Sequence, residues 1–218
     1  MKKSFLVIGA GRFGKSVAHI LNEAGHDVMV VDKDEALIQD ISSEVTEAIT
    51  ADATLESSIK AIGAMDFDAV VLAIGSDIQA SIMAAILLIE NEAKYIVAKA
   101  QTDLHGKVLE KIGVNRVVYP ERDMGHKVAR SLIAPTIIDM IEFSNDYSIV
   151  EVQATEEMVG KSLSKLDLLS HHEVNVIAIR SNSEQEAIIL PLTDDIIKPG
   201  DVIVAIGKNK SLHKLGWF

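Results

Sequence analysis

A glycine-rich loop near the start of the chain has the spacing of a phosphate-binding turn. Gly9, Gly11 and Gly14 form a G-x-G-x-x-G pattern between an apolar run that predicts a strand and a segment that predicts a helix. Gly9 would permit the tight turn, Gly11 would let a phosphate approach the backbone, and Gly14 would let the helix pack close to the strand. The phosphates would lie at the positive end of the helix dipole. The loop therefore predicts a nucleotide site.

An acidic residue at the end of the second predicted strand completes this pattern. Asp32 stands 18 residues after Gly14, where a carboxylate accepts hydrogen bonds from the 2′- and 3′-hydroxyls of a ribose. The same carboxylate would repel a 2′-phosphate, which disfavours NADP, but it suits ATP, ADP and NAD(H) equally. Arg12 opposes the helix dipole unless it meets a polyphosphate; a solvent-exposed surface arginine is the alternative.

No set of side chains typical of catalysis accompanies the loop. Tyr95 and Lys99 have the Tyr-x-x-x-Lys spacing of short-chain dehydrogenases, but that motif requires a helix and the residues between them predict a strand. The sequence contains neither an HExxH metal motif nor a GxSxG nucleophile elbow. Three histidines on predicted helices are expected at the surface: His105, His126 and His213. We therefore expect a binding protein; an NAD-dependent oxidoreductase is the alternative.

The composition excludes several classes of protein. The net charge is −11 and no basic cluster appears, which argues against nucleic-acid binding. The absence of cysteine excludes disulfides and thiolate metal sites. The longest apolar stretches are too short to cross a bilayer, and the amino terminus lacks a signal-peptide pattern. We therefore expect a cytoplasmic protein that acts at a membrane only through an integral partner.

The elements that must position the loop alternate between strand and helix. The predicted strands are Ser4–Ile8, Asp27–Val31, Thr46–Thr50, Asp68–Ile74, Tyr95–Lys99 and Arg116–Tyr119. Helices are predicted between them, and one more at Glu121–Ile133. Six strands with intervening helices predict an α/β fold with a Rossmann-type, doubly wound parallel sheet over residues 1–134.

The pattern changes in the last third of the chain. Pro135 and the polar stretch Ser144–Asp146 predict a hinge or boundary. The predicted strands beyond it have fewer helices between them: Tyr147–Gln153, Val174–Arg180, Ala187–Leu190 and Asp201–Ile206. Residues 135–218 are therefore predicted to form a small α+β C-terminal domain.

Several segments together resemble the RCK proteins (regulators of potassium conductance), the cytosolic regulatory subunits of Ktr/Trk-type potassium uptake systems. The most specific is Lys99–Gly125, because a generic dinucleotide fold does not require its strand–helix–strand order and Pro-Glu ending. The others are Val7–Leu21, Val30–Ile38, Ala51–Thr54, Val70–Leu88, Tyr147–Ala154 and Ile196–Gly207. The resemblance covers essentially the whole chain.

The resemblance implies a full set of nucleotide contacts, because the Rossmann lobe of the family binds ATP, ADP or NAD(H). Asp52 would lie beside the adenine edge, and Lys99 would meet phosphate unless it is a plain surface lysine. The expected set is Gly9, Gly11, Arg12, Phe13, Gly14, Asp32, Lys33, Asp52, Ala53, Ala73, Ile74, Gly75 and Lys99.

The resemblance also implies assembly and further ligands. Glu121 would lie at a dimer interface and help to hold Mg²⁺, Ca²⁺ or Na⁺ beside the phosphates. Homodimers would form a ring, an octamer in the family, that gates an integral-membrane potassium-translocating subunit; a nucleotide sensor of another transporter is the alternative. Relatives bind cyclic di-AMP in the C-terminal domain, where Ile188, Ile189 and Pro191 are candidate contacts or ordinary core residues.

Overall fold

Apolar, β-branched runs build a parallel sheet in the first of two units, Met1–Arg122. The structure is a computed structural model and describes residues 1–181 and 187–217. The strands are β1 (Ser4–Ile8), β2 (Asp27–Asp32), β3 (Glu47–Thr50), β4 (Ala69–Leu72), β5 (Ile96–Lys99) and β6 (Arg116–Val118). All neighbours are parallel, in the order β3-β2-β1-β4-β5-β6. The predicted Rossmann-type sheet is confirmed, and its order reverses between β1 and β4, where such sheets bind ligands.

Helices connect these strands and contain buried residues, and one more helix follows β6. They are α1 (Arg12–Glu23), α2 (Glu35–Ile41), α3 (Glu56–Ile62), α4 (Ile78–Glu90), α5 (Asp103–Ile112) and α6 (Pro120–Ile133), with a short 3₁₀ turn at Ala64–Asp66. The side chains of Asp34, Asp77 and Thr102 accept hydrogen bonds from backbone N–H groups at the starts of α2, α4 and α5. Such caps fix where each helix begins, so they also fix the loops at the carboxyl edge of the sheet.

The second unit, Asp123–Phe218, contains an antiparallel sheet. Its strands are β7 (Ile137–Glu142), β8 (Tyr147–Gln153), β9 (Val174–Arg180), β10 (Ala187–Ile189) and β11 (Val202–Lys208), in the order β10-β9-β11-β8-β7. Within the part of this unit that the structure describes, three short helices accompany the sheet: α7 (Leu163–Leu166), α8 (Leu168–His172) and α9 (Asn209–Lys214). Trp217, Ile203 and Leu212 belong to its buried core. The predicted α+β character is confirmed.

The segment between the two predicted domains differs from the expectation. Pro135 and Ser144–Asp146 were predicted to mark a hinge or boundary, but β7 lies between them and forms a hairpin with β8. The N–H groups of Phe143 and Ser144 close this hairpin by donating hydrogen bonds to the carbonyl of Tyr147. The two units divide after Arg122, inside α6, and the domain boundary at residues 134 and 135 stays a prediction. Within the described residues, no helix combines the length and apolar character needed to cross a membrane.

Candidate functional site

A cavity of about 620 Å³ opens at the carboxyl edge of the parallel sheet. This volume lies in the range of small-molecule sites. Loops that follow β1 to β5, together with the start of α6, form its walls. The predicted site residues that line it are Gly9, Gly11, Arg12, Phe13, Asp32, Lys33, Asp52, Ala53, Ala73, Ile74, Gly75, Lys99 and Glu121. Gly14 is buried behind the lining.

The three loop glycines are required for different physical reasons. Gly9 has a φ of 104°, and a Cβ there would lie 3.0 Å from the carbonyl carbon of Ala73. At Gly14 a Cβ would lie 1.8 Å from the carbonyl oxygen of Gly9, so only glycine lets α1 pack this closely on the loop. At Gly11 no heavy atom of the described residues beyond its two chain neighbours lies within 4 Å of a built Cβ. Open space therefore faces the start of α1, whose first N–H groups lack intrahelical partners.

Asp32 ties the end of β2 to this loop. Its Oδ2 accepts a hydrogen bond from the backbone N–H of Ala10 at 2.7 Å, and its Oδ1 accepts one from that of Asp34 at 2.9 Å. Each carboxylate oxygen can accept more than one hydrogen bond. The half-buried carboxylate is thus held rigidly at the cavity while it keeps capacity for the hydroxyl groups of a sugar.

Asp52 is held in a similar way, by a residue that the sequence analysis did not single out. Its Oδ1 accepts hydrogen bonds from the hydroxyl of Thr54 at 2.7 Å and from the backbone N–H of Thr54 at 2.9 Å. These bonds, the hydroxyl bond above all, lower the pKa of Asp52 below its ordinary value.

Thr54 is one of several lining residues that the prediction missed; the others include Leu37, Asp77, Ala80 and Gln101. Thr54 ends the Ala51–Thr54 segment, and Gln101 follows β5 at the same edge of the sheet, so the rule that ligands bind at carboxyl ends of strands was the available signal.

Lys99 and Glu121 form an ion pair inside the cavity. The Nζ atom of Lys99 lies 2.5 Å from Oε1 of Glu121 and 5.9 Å from the ring centroid of Phe13. The Lys99 side chain is 13% exposed, whereas that of Glu121 is 69% exposed. The hydrogen bond from Lys99 lowers the pKa of Glu121, and the charge of Arg12 lowers it further. The sequence predicted these two residues separately, and the structure brings them together.

His105 corrects one expectation, since it was predicted at the surface and is only 2% exposed. It lies on the inward face of α5, one turn before the buried Leu109. Its Nδ1 accepts a hydrogen bond from the backbone N–H of Gln101 at 3.4 Å, and its Nε2 has no hydrogen-bond partner among the described residues. Burial lowers the pKa of His105. His126 and His213 are exposed, as predicted.

The roles of Glu121 as a cation ligand and of Ile188, Ile189 and Pro191 as contacts of a second ligand stay predictions. Among the described residues, no group of three or more His, Asp and Glu side chains is arranged to hold a metal ion. A cation at Glu121 would therefore need further oxygen ligands, such as phosphates. Pro191 is half-buried between the exposed Leu190 and Leu192, and the side chains of Ile188 and Ile189 lie outside what the structure describes.

Solved structures share this fold. The GsuK RCK domain superposes with a TM-score of 0.70 at 15% identity, covering 100% of this chain and 47% of that chain. The GsuK channel bound to NAD superposes with a TM-score of 0.69 at 14% identity, covering 100% of this chain and 39% of the channel. The chain thus spans less than half the length of either solved chain.

Sequence relatives cover almost the whole chain. Ktr system potassium uptake protein C of Bacillus subtilis is 39% identical over 95% of this chain and 93% of its own length. Protein A of the same system and organism is 38% identical over 97% of this chain and 95% of its own. The TrkA-N domain matches residues 5–120, and the TrkA-C domain matches residues 147–216. These matches cover both the parallel-sheet unit and the antiparallel domain. The chain is therefore a member of the family of Ktr-type potassium uptake proteins.

Proposed function

We propose that this chain is the nucleotide-binding regulatory subunit of a Ktr-type potassium uptake system and has no catalytic activity of its own. It would act at the cytoplasmic face of the membrane, bound to an integral-membrane potassium-translocating subunit. Family membership supports the link to potassium uptake. The observation that carries the nucleotide role is the open space at Gly11, between the start of α1 and the carboxylate of Asp32.

The ligand that we propose first is ATP or ADP. Its phosphates would lie against the N–H groups at the start of α1, beside Arg12 and Lys99, and its ribose hydroxyls would bind Asp32. Asp52 and Ala53 would lie at the adenine end, because they follow the neighbouring strand β3. NAD(H) is the alternative ligand, and it would use the same adenosine end.

The regulatory step would depend on the third phosphate. ATP would place one more charge than ADP near Arg12 and Glu121, and a cation such as Mg²⁺, Ca²⁺ or Na⁺ would bridge that charge to the Glu121 carboxylate. Only a ligand that binds two arrangements of an assembly with different affinity can shift the balance between them. The two nucleotides would thereby set two shapes of a ring of homodimers and gate the membrane subunit.

The exposed face of α6 supports a homodimer. Met124, Val128 and Leu132 recur every fourth residue and are 59%, 50% and 76% exposed. Residues with this spacing share one helix face. α6, all of whose residues are described, buries none of them, so a second copy of the chain is the partner that we propose for this apolar stripe.

Substitution of Asp32 tests the nucleotide site. Asp32→Asn removes a charged acceptor of two sugar hydroxyls, and we expect it to weaken ADP binding about 10- to 100-fold, since hydrogen bonds to charged groups contribute about 1.5–3 kcal/mol. Isothermal titration calorimetry with ATP, ADP and NADH would measure this. Asp40→Asn is the control, because Asp40 pairs with Lys15 and does not line the cavity. Wild-type affinity in Asp32→Asn would refute the site. Turnover of NADH with a carbonyl substrate would refute the non-enzymatic role.

We further propose cyclic di-AMP as a second ligand of the C-terminal domain, near Ile188, Ile189 and Pro191. The apolar, exposed Leu190 and Leu192 on either side of Pro191 support a contact surface there. Calorimetry with cyclic di-AMP would show saturable heat, and a titration without heat would end the proposal.

A further inference from the structure

One cation of the candidate nucleotide site, Lys99, already has an anionic partner within the chain. Lys99 is mostly buried, at 13% exposure, and its Nζ lies 2.5 Å from the Glu121 carboxylate. A Cβ on Gly75 would lie 3.1 Å from that Nζ, so a larger residue there would crowd the path of the lysine. The pairing is therefore built into the cavity wall and differs from the exposed pairs on the surface of the chain.

The position of this pair coincides with the place where phosphates are expected. Phe13 is the second residue of α1, and the Lys99 amine lies 5.9 Å from its ring centroid. Lys99 thus reaches the start of the helix whose free N–H groups favour an anion. A carboxylate and a phosphate oxygen are both good acceptors for an ammonium group, so Glu121 and a phosphate compete for the same donor.

We propose that Glu121 competes with the nucleotide phosphate for Lys99: the carboxylate pairs with the Lys99 amine until a phosphate takes the place of the carboxylate. This inference rests on the proposed nucleotide function and adds its regulation. A polyphosphate carries more charge than one carboxylate, and it also gains the N–H groups of α1, so it takes Lys99 when it binds. Glu121, at the first turn of α6, then loses its partner and becomes free for a cation or for a neighbouring subunit. Phosphate binding is thereby transmitted to the start of α6.

The proposal predicts that removal of the Glu121 charge strengthens nucleotide binding when no divalent cation is present. The exposed fraction of Glu121, 69%, limits the strength of the pair, and exposed ion pairs contribute little. We therefore expect Glu121→Gln to bind ADP about two- to fivefold more tightly than the wild type in EDTA, by calorimetry. Addition of Mg²⁺ should improve the affinity of the wild type for ATP more than that of Glu121→Gln.

Glu56→Gln is the matched control. Glu56 also pairs with a lysine, Lys60, at 2.6 Å, and it lies on α3 outside the cavity lining. The substitution removes the same charge by the same change of side chain, so any general effect of net charge on ADP affinity would appear there too.

A double-mutant cycle separates competition for Lys99 from simple repulsion of the phosphate. Lys99→Gln should weaken ADP binding, and Glu121→Gln should give no gain in the Lys99→Gln background. A gain of the same size in that background would overturn the proposal, as would equal affinities of Glu121→Gln and Glu56→Gln. In both cases the wild type would still bind ADP and the proposed function would stand. A wild type that binds neither ADP nor ATP would overturn both.

Discussion

Gly11→Ala separates nucleotide binding from folding more cleanly than any other single change in the loop. The N-cap of α1 is Gly11, with φ −69° and ψ −179°, a conformation that alanine also adopts. The added methyl group would meet no heavy atom of the described residues within 4 Å, apart from those of its own residue and its two chain neighbours. The folded chain therefore accommodates it, and the methyl group projects only into the space assigned to the phosphates.

The expected magnitudes follow from this geometry. Alanine is a poorer N-cap than glycine, so the free energy of unfolding should fall by about 0.5–1 kcal/mol. A phosphate oxygen that accepts from an N–H group lies about 2.9 Å from the nitrogen, whereas it must stay about 3.5 Å from a methyl carbon. Displacement of the phosphate would cost about two charge-assisted hydrogen bonds, roughly 3 kcal/mol or a 100-fold loss of ADP affinity.

Calorimetry with ADP, paired with thermal unfolding of the same samples, measures both effects. The melting temperature of Gly11→Ala should stay within about 4 °C of the wild type, as expected for a change below 1 kcal/mol in a chain of this size. Ser16→Ala, at an exposed position of α1 outside the cavity lining, is the control for both measurements. An ADP affinity of Gly11→Ala within about twofold of the wild type would refute the placement of phosphate at this loop.

Two further predictions concern stability. Gly14→Ala would place a Cβ 1.8 Å from the carbonyl oxygen of Gly9, so urea unfolding should show that the free energy of unfolding falls by about 1–3 kcal/mol. Gly125 lies on α6 with open space around it, so Gly125→Ala should instead raise the free energy of unfolding by up to about 1 kcal/mol. Burial depresses the pKa of His105, so below pH of about 6.5 the unfolded chain binds a proton that the folded chain does not. The free energy of unfolding should therefore fall as the pH drops from 7 to 5, less steeply in His105→Gln; equal slopes would contradict this.

The first unit was predictable because its signals are local. The inner strands β1, β2, β4 and β5 are mostly apolar and partly or fully buried. The spacing from Gly9 to Gly14 and on to Asp32 encodes the loop within consecutive elements. The carboxyl-edge rule then places residues that follow different strands around one cavity. Local pattern thus predicted the loop and Asp32, whereas the other predicted contacts came from the family resemblance.

β7 was missed because acids interrupt its apolar pattern and their partners lie on α6. The strand Ile137–Glu142 contains two acids that interrupt its apolar pattern. Asp139 pairs with Lys127 at 2.9 Å, and Glu142 pairs with Arg130, so both acids are matched by residues of α6. The ion pair between Lys99 and Glu121 escaped prediction for the same reason, since no short-range pattern reports a contact between residues 22 positions apart.

The lining of the candidate site carries more acids than bases, as does the whole chain with its net charge of −11. The charged residues in the lining are Arg12, Lys33 and Lys99 against Asp32, Asp34, Asp52, Asp77 and Glu121. Four of these acids accept hydrogen bonds from backbone N–H groups, which shape the loops around the cavity. Glu121 differs, because its partner is Lys99. In the proposed competition, a phosphate displaces the Glu121 carboxylate from Lys99, and this carboxylate lies at the first turn of α6. The ion pair that weakens nucleotide binding is therefore also the contact through which α6 would respond to it.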